Sequence, residues 1–412
     1  MLLSDKMNAD TDINNKREDA FVNLCCYKMA SYIGLQHRFG NDMYQNVLEK
    51  EFEPEPLSLS HAFSMTKSFV GLVYVNLLLT ERHFPHDIVI GKVPLFANDL
   101  DMAGVDSVKL VDLINHTSGL VSGKNEGKFN IDDALFLMGN PTCTEIIESC
   151  LHEFKKPFYE FGGSRATRSL QFKYNNYGSF LFGMLLEDIM RQKQINNNQT
   201  PDWNIKDAAK KMGIFGNLSE GIHYKWHSHP GYSVRSHTMA FYGLQLTGSA
   251  AMYIGKMILN KHKNLLEFIQ GDREVVVNGR KFKNKHRVPA TCRDVCPTPS
   301  GNQRNASSGV GSHNNDDGDD DDNEPELEVD YSYGFWIPVI PGRRVISMIG
   351  MLGQFIAWDL DNDFVVVRMH YAGLDDISPK NKHKNFVWDA MKYLWVHFNI
   401  SPKATTATTI TK

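Results

Sequence analysis

The stretch Ser64-Met65-Thr66-Lys67 stands at the head of an apolar run that extends from Phe69 to Leu79. On a helix, a serine and a lysine three positions apart share one face, with their Cβ atoms about 5–6 Å apart. A serine in the first turn also lies near free backbone N–H groups and the positive end of the helix dipole. The stretch therefore predicts a serine nucleophile with a lysine as its base. The alternative interpretation is an N-capping serine followed by a surface lysine.

The composition is that of a soluble globular protein with one catalytic unit. The chain has 412 residues, of which 42% are hydrophobic and 22% charged, and its net charge is -4. This balance predicts no general affinity for nucleic acid. No apolar run reaches the roughly 18 residues that a membrane span needs. Residues 1–20 lack the apolar core of a signal peptide, so we expect a cytoplasmic location.

The cysteines carry no pattern of a metal site or of a secreted, disulfide-bonded protein. Without a secretion signal, we expect free thiols. The spacing of the last two has no second pair that would complete a zinc site. The six are Cys25, Cys26, Cys143, Cys150, Cys292 and Cys296.

The composition changes along the chain and predicts its organisation. Residues 297–330 are rich in serine, glycine and asparagine and then strongly acidic, which predicts a disordered insertion. A calcium site there is a weaker alternative, because the aspartates lack the spacing of an EF-hand loop. The predicted parts are a disordered N-terminus (1–20), a catalytic domain (21–398) with a helical subdomain (about 82–275), the insertion (297–330), C-terminal strands and a helix (331–398), and a flexible tail (399–412).

Periodicity and turn residues predict an α+β fold, in which an antiparallel β-sheet is flanked by helices and carries an inserted all-helical subdomain. Leu360–Asp363 is a clear hairpin turn between the last two strands. The predicted helices are Ala20–Ile33, Ser64–Glu81, Val108–Asn115, Ile131–Met138, Cys143–Phe154, Tyr174–Arg191, Ile205–Met212, Ala250–Asn260 and Lys384–Phe398. The predicted strands are Tyr331–Val339, Val345–Ile349, Gly353–Asp359 and Phe364–His370.

Four further segments follow the serine at ordered spacings: L-I-N-H-T-S-G-L at Leu113–Leu120, F-K-Y-N-N-Y-G at Phe172–Gly178, Y-G-L-Q-L-T-G-S-A at Tyr242–Ala250 and M-I-G-M-L-G-Q at Met348–Gln354. Together with S-x-x-K they resemble the serine β-lactamase-like superfamily. The resemblance is strongest to its branch of class C β-lactamases, esterases and 6-aminohexanoate-dimer hydrolases, and it covers roughly residues 57–275 and 331–398. It implies the fold of these enzymes, with a cleft between sheet and helical domain, and no metal or organic cofactor.

The resemblance also implies roles for individual residues. Ser64 attacks an acyl carbon, and Lys67 takes or relays its proton. Tyr174 is a partner base and later a proton donor to the leaving group, and Asn176 orients Lys67 and contacts the substrate. Which of Lys67 and Tyr174 is the general base stays open. On the residues alone, Tyr174 could also be a helix-capping aromatic and Asn176 an N-cap.

The predicted oxyanion hole consists of two backbone N–H groups, those of Ser64 and of Met351, which we expect on an edge strand. Such donors are worth about 3–4 kcal/mol each to a tetrahedral intermediate. Gly350 would allow the strand and the substrate to approach closely. His116 is expected to be structural. A group of histidines is expected on the surface, namely His223, His227, His229 and His237.

The sequence departs from the family pattern at two places. Met348 stands where the family usually has a lysine or histidine that binds a substrate carboxylate, which favours neutral esters or amides over β-lactams. Arg343 or Arg344 is the candidate substitute for that cation. Residues 21–56 are a poor version of the two strands that precede the serine helix in the family. We therefore expect a sheet that lacks a strand or is rearranged.

The sequence therefore predicts a serine hydrolase that acts through an acyl-enzyme on a small ester or amide. A second hypothesis is a catalytically inactive binding or scaffold protein with the same fold. A third is a D-Ala-D-Ala peptidase like the penicillin-binding proteins, against which Met348 and the missing export signal argue. The expected partner is a small-molecule substrate, and the oligomeric state stays open.

Overall fold

An eight-stranded antiparallel sheet is the largest element of the computed structural model. The model describes residues 32–39, 42–49, 59–81, 84, 88–89, 108–118, 172–229, 237–290, 328–350 and 353–369, the first two ranges by their backbone. The helices in these ranges are α1 (Met65–Thr80), α2 (Leu110–Ile114), α3 (Asn176–Asn196), α4 (Ile205–Lys211) and α5 (Gly248–Gln270). The strands are β1 (Tyr32–Phe39), β2 (Asp42–Glu49), β3 (Ser60–His61), β4 (Tyr224–Trp226), β5 (Ser228–His229), β6 (His237–Thr238), β7 (Leu244–Leu246), β8 (Val275–Val277), β9 (Arg280–Phe282), β10 (Val288–Ala290), β11 (Val329–Ser332), β12 (Phe335–Pro338), β13 (Val345–Gly350), β14 (Gln354–Asp359) and β15 (Phe364–Met369).

The large sheet pairs the first strand of the described residues with the last. Its strand order is β10-β11-β12-β13-β14-β15-β1-β2. Strand β1 pairs with β15, with Gly34 opposite Val367, and with β2, with Gln36 opposite Gln45. The expectation of a missing or rearranged strand is therefore wrong, and Ile33 belongs to a strand rather than to a helix. The polar residues that hid these strands are tolerated because β2 ends the strand order, where an edge strand needs fewer apolar residues.

Strands β13 to β15 are buried on both faces, which explains why they read as nearly continuous apolar runs. Side chains that alternate along these strands belong to two separate apolar clusters. One face contacts α1 and α5 and includes Ile346, Met348, Ile356, Trp358, Val365 and Val367. The other face includes Val345, Ile349, Phe355, Ala357, Phe364 and Val366, together with Phe172, Tyr331 and Trp336. The hairpin predicted at Leu360–Asp363 joins β14 to β15, with Asp359 opposite Phe364.

Helix α1 begins one residue after Ser64 and ends at Thr80, as the sequence predicts. It contacts β12 and β13 of the sheet as well as α3, α4 and α5, so nearly all of its surface is buried. Its glycine, Gly71, lies against the backbone of Tyr333, where any Cβ atom would clash with the Tyr333 carbonyl. The serine helix is thus enclosed by the rest of the fold on all sides.

The segment predicted as one strand, Tyr331–Val339, is two strands joined by a tight turn. Tyr333 and Gly334 both have positive φ angles, 48° and 87°, as in the two-residue turns that fit the twist of a hairpin. Ser68 of α1 donates its hydroxyl hydrogen to the Gly334 carbonyl. The turn therefore docks on the serine helix, a tertiary contact that local alternation does not reveal.

The remaining predicted helices are present where the structure describes them, with two longer than expected. α3 continues to Asn196, and α5 continues through a kink at His262 to Gln270. The polar run Asn260–Asn264 interrupts the apolar pattern, which is why periodicity ended the prediction too early. No helix among the described residues is long and apolar enough to cross a bilayer.

Several predictions concern residues outside those that the structure describes. Of the insertion 297–330, residues 328–330 are described, and Val329 and Asp330 already belong to β11. The undescribed predictions are the N-terminus 1–20, the helices Ile131–Met138, Cys143–Phe154 and Lys384–Phe398, the six cysteines and the tail 399–412.

Candidate active site

Ser64 sits in the turn that connects β3 to α1. Phe63, just before it, has a left-handed backbone with φ of 47°, which costs a bulky residue of order 1–3 kcal/mol. Hydrogen bonds from Ala62 N to Leu244 O and from Met65 N to Ala62 O hold the turn. The Ser64 side chain makes no capping hydrogen bond to the helix. The strained turn therefore leaves its hydroxyl available to other groups, and the capping interpretation is wrong.

Lys67 is buried beneath Ser64, with 1% of its surface exposed. Its Nζ donates to Ser64 Oγ at 2.8 Å and to the carbonyl oxygen of Phe241 at 3.1 Å. It also lies 4.9 Å from the centre of the Tyr174 ring. The interpretation of Lys67 as a surface lysine is therefore wrong.

Tyr174 reaches the same hydroxyl from the loop before α3. Its Oη donates to Ser64 Oγ at 2.7 Å. Its ring stacks on Trp336 with a centroid distance of 6.1 Å and an angle of 20°, and the His116 ring lies 4.5 Å away on centroids. Lys67 and Tyr174, which are far apart in sequence, thus converge on one oxygen atom.

The segment around Tyr174 also contains the helix cap. Asn175 is the N-cap of α3, and its Oδ1 accepts a hydrogen bond from Gly178 N at 3.1 Å. Tyr174 is therefore not the capping residue. Asn176 is the first residue of the helix and is half-buried. Its predicted contacts with Lys67 and with a substrate stay predictions.

His116 is buried behind Tyr174 and contacts the chain on both sides of it. Its backbone oxygen accepts from Lys173 N at 2.8 Å, and its ring Nδ1 accepts from Asn175 N at 3.1 Å. Its Nε2 lies 3.2 Å from Tyr331 Oη. Burial, and secondly the charge of Lys67, hold the pKa of His116 well below its ordinary value, so the ring is neutral.

The end of β13 lies beside the serine turn. A Cβ atom at Gly350 would clash with the carbonyl oxygen of Ala62, so only glycine allows this approach. Met348 is fully buried on the sheet face that packs against α1 and α5. Strand β13 is flanked by both β12 and β14, and is therefore not the edge strand that we expected. Met351 lies outside the described residues, so its part in an oxyanion hole stays a prediction.

The two arginines proposed as a substitute cation lie before the opposite end of β13. Arg343 pairs with Asp359 at 2.8 Å, and both side chains are buried. Arg344 pairs with Asp361 at 2.7 Å and with Glu267 at 3.2 Å. Met348 lies four residues beyond Arg344, about 13 Å along the strand, and carboxylates hold both arginines, so neither replaces the cation at Met348. That hypothesis is wrong.

Two contributors to the site were not predicted from the sequence. The Phe241 carbonyl binds Lys67, but a backbone oxygen leaves no signal in residue type, although the adjoining segment Tyr242–Ala250 was singled out. Tyr331 contacts His116, and was predicted merely as part of a strand. The contact of the Tyr331 hydroxyl with His116 can be recognised only when the pairing of the strands is known.

No family model matches this sequence, and no curated protein matches it. A candidate 6-aminohexanoate-dimer hydrolase from Bacillus anthracis is similar in structure, with 14% identity and a TM-score of 0.53 over 92% of this chain and 82% of that one. A class C β-lactamase from Rhodobacter sphaeroides matches at 11% identity and a TM-score of 0.47, over 92% and 99% of the two chains. A D-amino acid amidase from Ochrobactrum anthropi matches at 13% and 0.49, over 94% and 98%. The sheet topology and the first of these likenesses show that the chain has the fold of the serine β-lactamase-like superfamily.

Proposed function

We propose that the protein is a serine hydrolase that acts through an acyl-enzyme on a small, uncharged ester or amide. The observation that carries the proposal is the convergence of two proton carriers on one hydroxyl. Lys67 Nζ and Tyr174 Oη lie 2.8 Å and 2.7 Å from Ser64 Oγ. A serine is a weak nucleophile until a neighbouring base takes its proton, and here two groups are within reach.

The reaction follows from these contacts. One partner must first be deprotonated, because both Lys67 and Tyr174 donate to Ser64 in the structure. A neutral amine has two N–H groups and one lone pair, so Lys67 can still donate to Phe241 O while it accepts the serine proton. The serine oxygen then attacks the acyl carbon, and the proton passes to the leaving group. Water hydrolyses the acyl-enzyme in a second step by the same proton transfers in reverse.

The proposed substrate is uncharged because of Met348. This position is apolar and fully buried, whereas a substrate carboxylate would need a cation there. The wall beside the serine is aromatic, with Trp336 stacked on Tyr174. These features support a neutral acyl group, and they argue against a D-Ala-D-Ala peptide, whose terminal carboxylate would be left without a partner.

The second candidate is an inactive binding or scaffold protein, which Met348 favours because it removes a common substrate contact. Treatment of the purified protein with a fluorophosphonate probe, followed by mapping of the adduct, separates the two. We expect labelling at Ser64 and none in Ser64→Ala. The matched control is Ser68→Ala on the same helix, whose hydroxyl bonds to Gly334 and should not matter for labelling. A folded protein without an adduct at Ser64 would be the inactive candidate.

The substrate class is tested on the same preparation with a panel of nitrophenyl esters and a chromogenic cephalosporin. We expect turnover of uncharged esters and little turnover of the anionic cephalosporin. If the cephalosporin were hydrolysed far faster than every ester, the inference from Met348 would be wrong, although the acyl-enzyme mechanism would stand.

A further inference from the structure

We propose that His116 is a positioning residue that holds Tyr174 against Ser64. This inference rests on the proposed function, because it assigns a role within the same reaction. From the sequence, His116 is expected to be structural, without a more specific role. The contacts of its ring and backbone point to a narrower task.

The peptide groups on either side of Tyr174 both bind the one residue His116. Lys173 N donates to the backbone oxygen of His116 at 2.8 Å, and Asn175 N donates to its ring Nδ1 at 3.1 Å. Because the residues before and after Tyr174 are both hydrogen-bonded to His116, the Tyr174 backbone cannot move or rotate without breaking one of these bonds. The position of the Tyr174 Cα atom is thereby fixed from both sides.

These contacts also determine the tautomer of His116. Because Nδ1 accepts from Asn175 N, the ring proton must be on Nε2, which then donates to Tyr331 Oη at 3.2 Å. Tyr331 is buried and contacts Trp336 edge to face, at 4.9 Å and 82°. Trp336 in turn stacks on Tyr174. The Tyr174 ring therefore contacts both the His116 ring and an indole that packs against the hydrogen-bonding partner of His116.

The His116 turn is itself anchored to the serine helix. His116 has a left-handed backbone with φ of 57°. The neighbouring Asn115 binds the β11–β12 turn by accepting from Tyr333 N, and it also donates to the carbonyl oxygen of His286, which precedes β10, at 3.0 Å. The β11–β12 turn docks on α1 through Ser68. The His116 turn therefore fixes the position of Tyr174 relative to α1, the helix that follows Ser64. A misplacement of a reacting group by about 1 Å can lower the rate about 10²-fold.

Two substitutions divide the ring contacts. His116→Asn keeps an acceptor, Oδ1, near the position of Nδ1, and asparagine tolerates the left-handed backbone. His116→Gln reaches towards Tyr331 with its amide but removes the acceptor close to the backbone. We expect His116→Gln to lower the rate of Ser64 labelling and kcat for a nitrophenyl ester about 10²-fold with little change in KM. His116→Asn should stay within about tenfold of wild type.

A double-mutant cycle with Tyr174→Phe shows whether His116 acts through the phenol. If it does, His116→Gln has little further effect once the Tyr174 hydroxyl is gone, because coupled residues are not additive. Full additivity of the two losses would overturn the proposal, since a merely structural contribution is independent of the hydroxyl.

Amide hydrogen exchange, measured residue by residue, tests the hydrogen bonds from Lys173 and Asn175 to His116 without an activity assay. In His116→Gln the Asn175 amide should exchange faster, whereas the Lys173 amide, bound to a backbone oxygen, should not change. Equal acceleration of both would indicate general loosening and overturn the proposal. If His116→Gln does not fold, Tyr331→Phe replaces it, because the His116 ring then loses the hydrogen bond that fixes its orientation, so the bond from Asn175 N to Nδ1 weakens and the Asn175 amide should exchange faster. Wild-type protein that fails to label at Ser64 would refute the proposed function alone. The exchange data would still show whether His116 holds the backbone on both sides of Tyr174.

Discussion

Two buried polar clusters lie on the helices of this protein, and they satisfy their charges differently. In the first, Lys67 and Tyr174 both donate to the hydroxyl of Ser64. In the second, Glu187 accepts from Ile205 N at 2.9 Å and Thr238 N at 3.1 Å, and pairs with Arg191 at 3.1 Å. Glu187 is fully buried, and burial raises the pKa of its carboxyl.

The second cluster extends its hydrogen bonds to other fixed groups. Arg191 donates from Nε to Trp203 O at 2.9 Å, and its Nη1 lies 3.1 Å from His237 Nε2. His237 is almost completely buried, so the expectation of a surface histidine is wrong. Backbone groups and an ion pair absorb the charge of Glu187, which joins α3 to α4 and β6. In the first cluster, by contrast, the charge is directed at a hydroxyl that can react. A buried charge that backbone groups and an ion pair satisfy supports the fold, whereas a buried lysine that faces a hydroxyl is available for the proton transfer proposed above.

The largest effect is expected for Lys67→Met, which removes one of the two candidate bases from the first cluster. We expect kcat/KM for a nitrophenyl ester to fall about 10³-fold, because a positioned base contributes about 10²–10⁴-fold. The free energy of unfolding should change little or increase, since an apolar side chain of similar length suits a buried site better. Urea denaturation and ester kinetics check both. The matched control, Lys263→Met, removes an exposed ion pair with Asp363 and should leave the rate unchanged.

In the second cluster, Glu187→Gln should have the opposite profile. We expect the free energy of unfolding to fall by about 3 kcal/mol, because the buried Arg191 loses its hydrogen-bonded carboxylate and keeps only the longer pair with Asp188 at 3.8 Å, and because the new amide N–H₂ group faces Arg191 or the backbone N–H donors. The rate per folded molecule should be nearly that of wild type. Glu220→Gln is the matched control: its pairs with Lys206 and Lys210 are partly exposed, and such pairs are worth about 0–1 kcal/mol. Equal losses in urea denaturation would contradict the distinction between the two environments.

A smaller effect is expected from Gly71→Ala, which tests how rigidly the serine helix is held. The new Cβ would meet the backbone of Tyr333, which cannot move without the β11–β12 turn. We expect a loss of about 2 kcal/mol, typical of overpacking. Gly255→Ala on α5 is the control, because its Cβ would meet the tips of the Val365 and Ile356 side chains. A thermal unfolding midpoint that falls more for Gly255→Ala would show that the Tyr333 turn yields easily.

The smallest effect is a dependence of stability on pH through His116. Its pKa in the folded protein lies well below the ordinary value of 6.5, because burial and Lys67 disfavour the charged ring. The unfolded chain therefore binds more protons as the pH falls below about 6.5, and the free energy of unfolding decreases. His116→Asn does not titrate, so its stability should fall less steeply, by up to about 1.4 kcal/mol per pH unit. Parallel urea titrations from pH 7 to pH 5.5 measure the difference, and identical slopes would contradict it.

The sequence was sufficient to predict those elements whose formation depends on nearby residues. Helix α1, the start of α3 and the hairpin at Leu360–Asp363 follow from periodicity and turn residues. The pairing of Ser64 with Lys67 follows from helical spacing. Tyr174 was predicted to lie near them from the order of the family motifs. That order indicates a fold, and it gives no distance between the side chains.

What local pattern cannot contain is the pairing of distant segments. Strands β1 and β2 are recognisable only beside β15, and His237 is buried only because Arg191 and Asp188 lie next to it. The sequence showed that position 348 has a methionine instead of a cation. Only the structure, through the ion pairs of Arg343 and Arg344, excluded these arginines as its replacement.

By itself the sequence determined the fold class and the serine helix, and it predicted the participants in proton transfer, because helical spacing, turn chemistry and motif order can be read directly from the chain. The tertiary structure decided that Tyr174 joins Lys67 at Ser64 Oγ, that the carbonyl of Phe241 accepts from Lys67, and that His116 binds the residues on both sides of Tyr174. Those contacts join residues up to 174 positions apart. Their geometry exists only when the sheet, the helices and the β11–β12 turn are packed together.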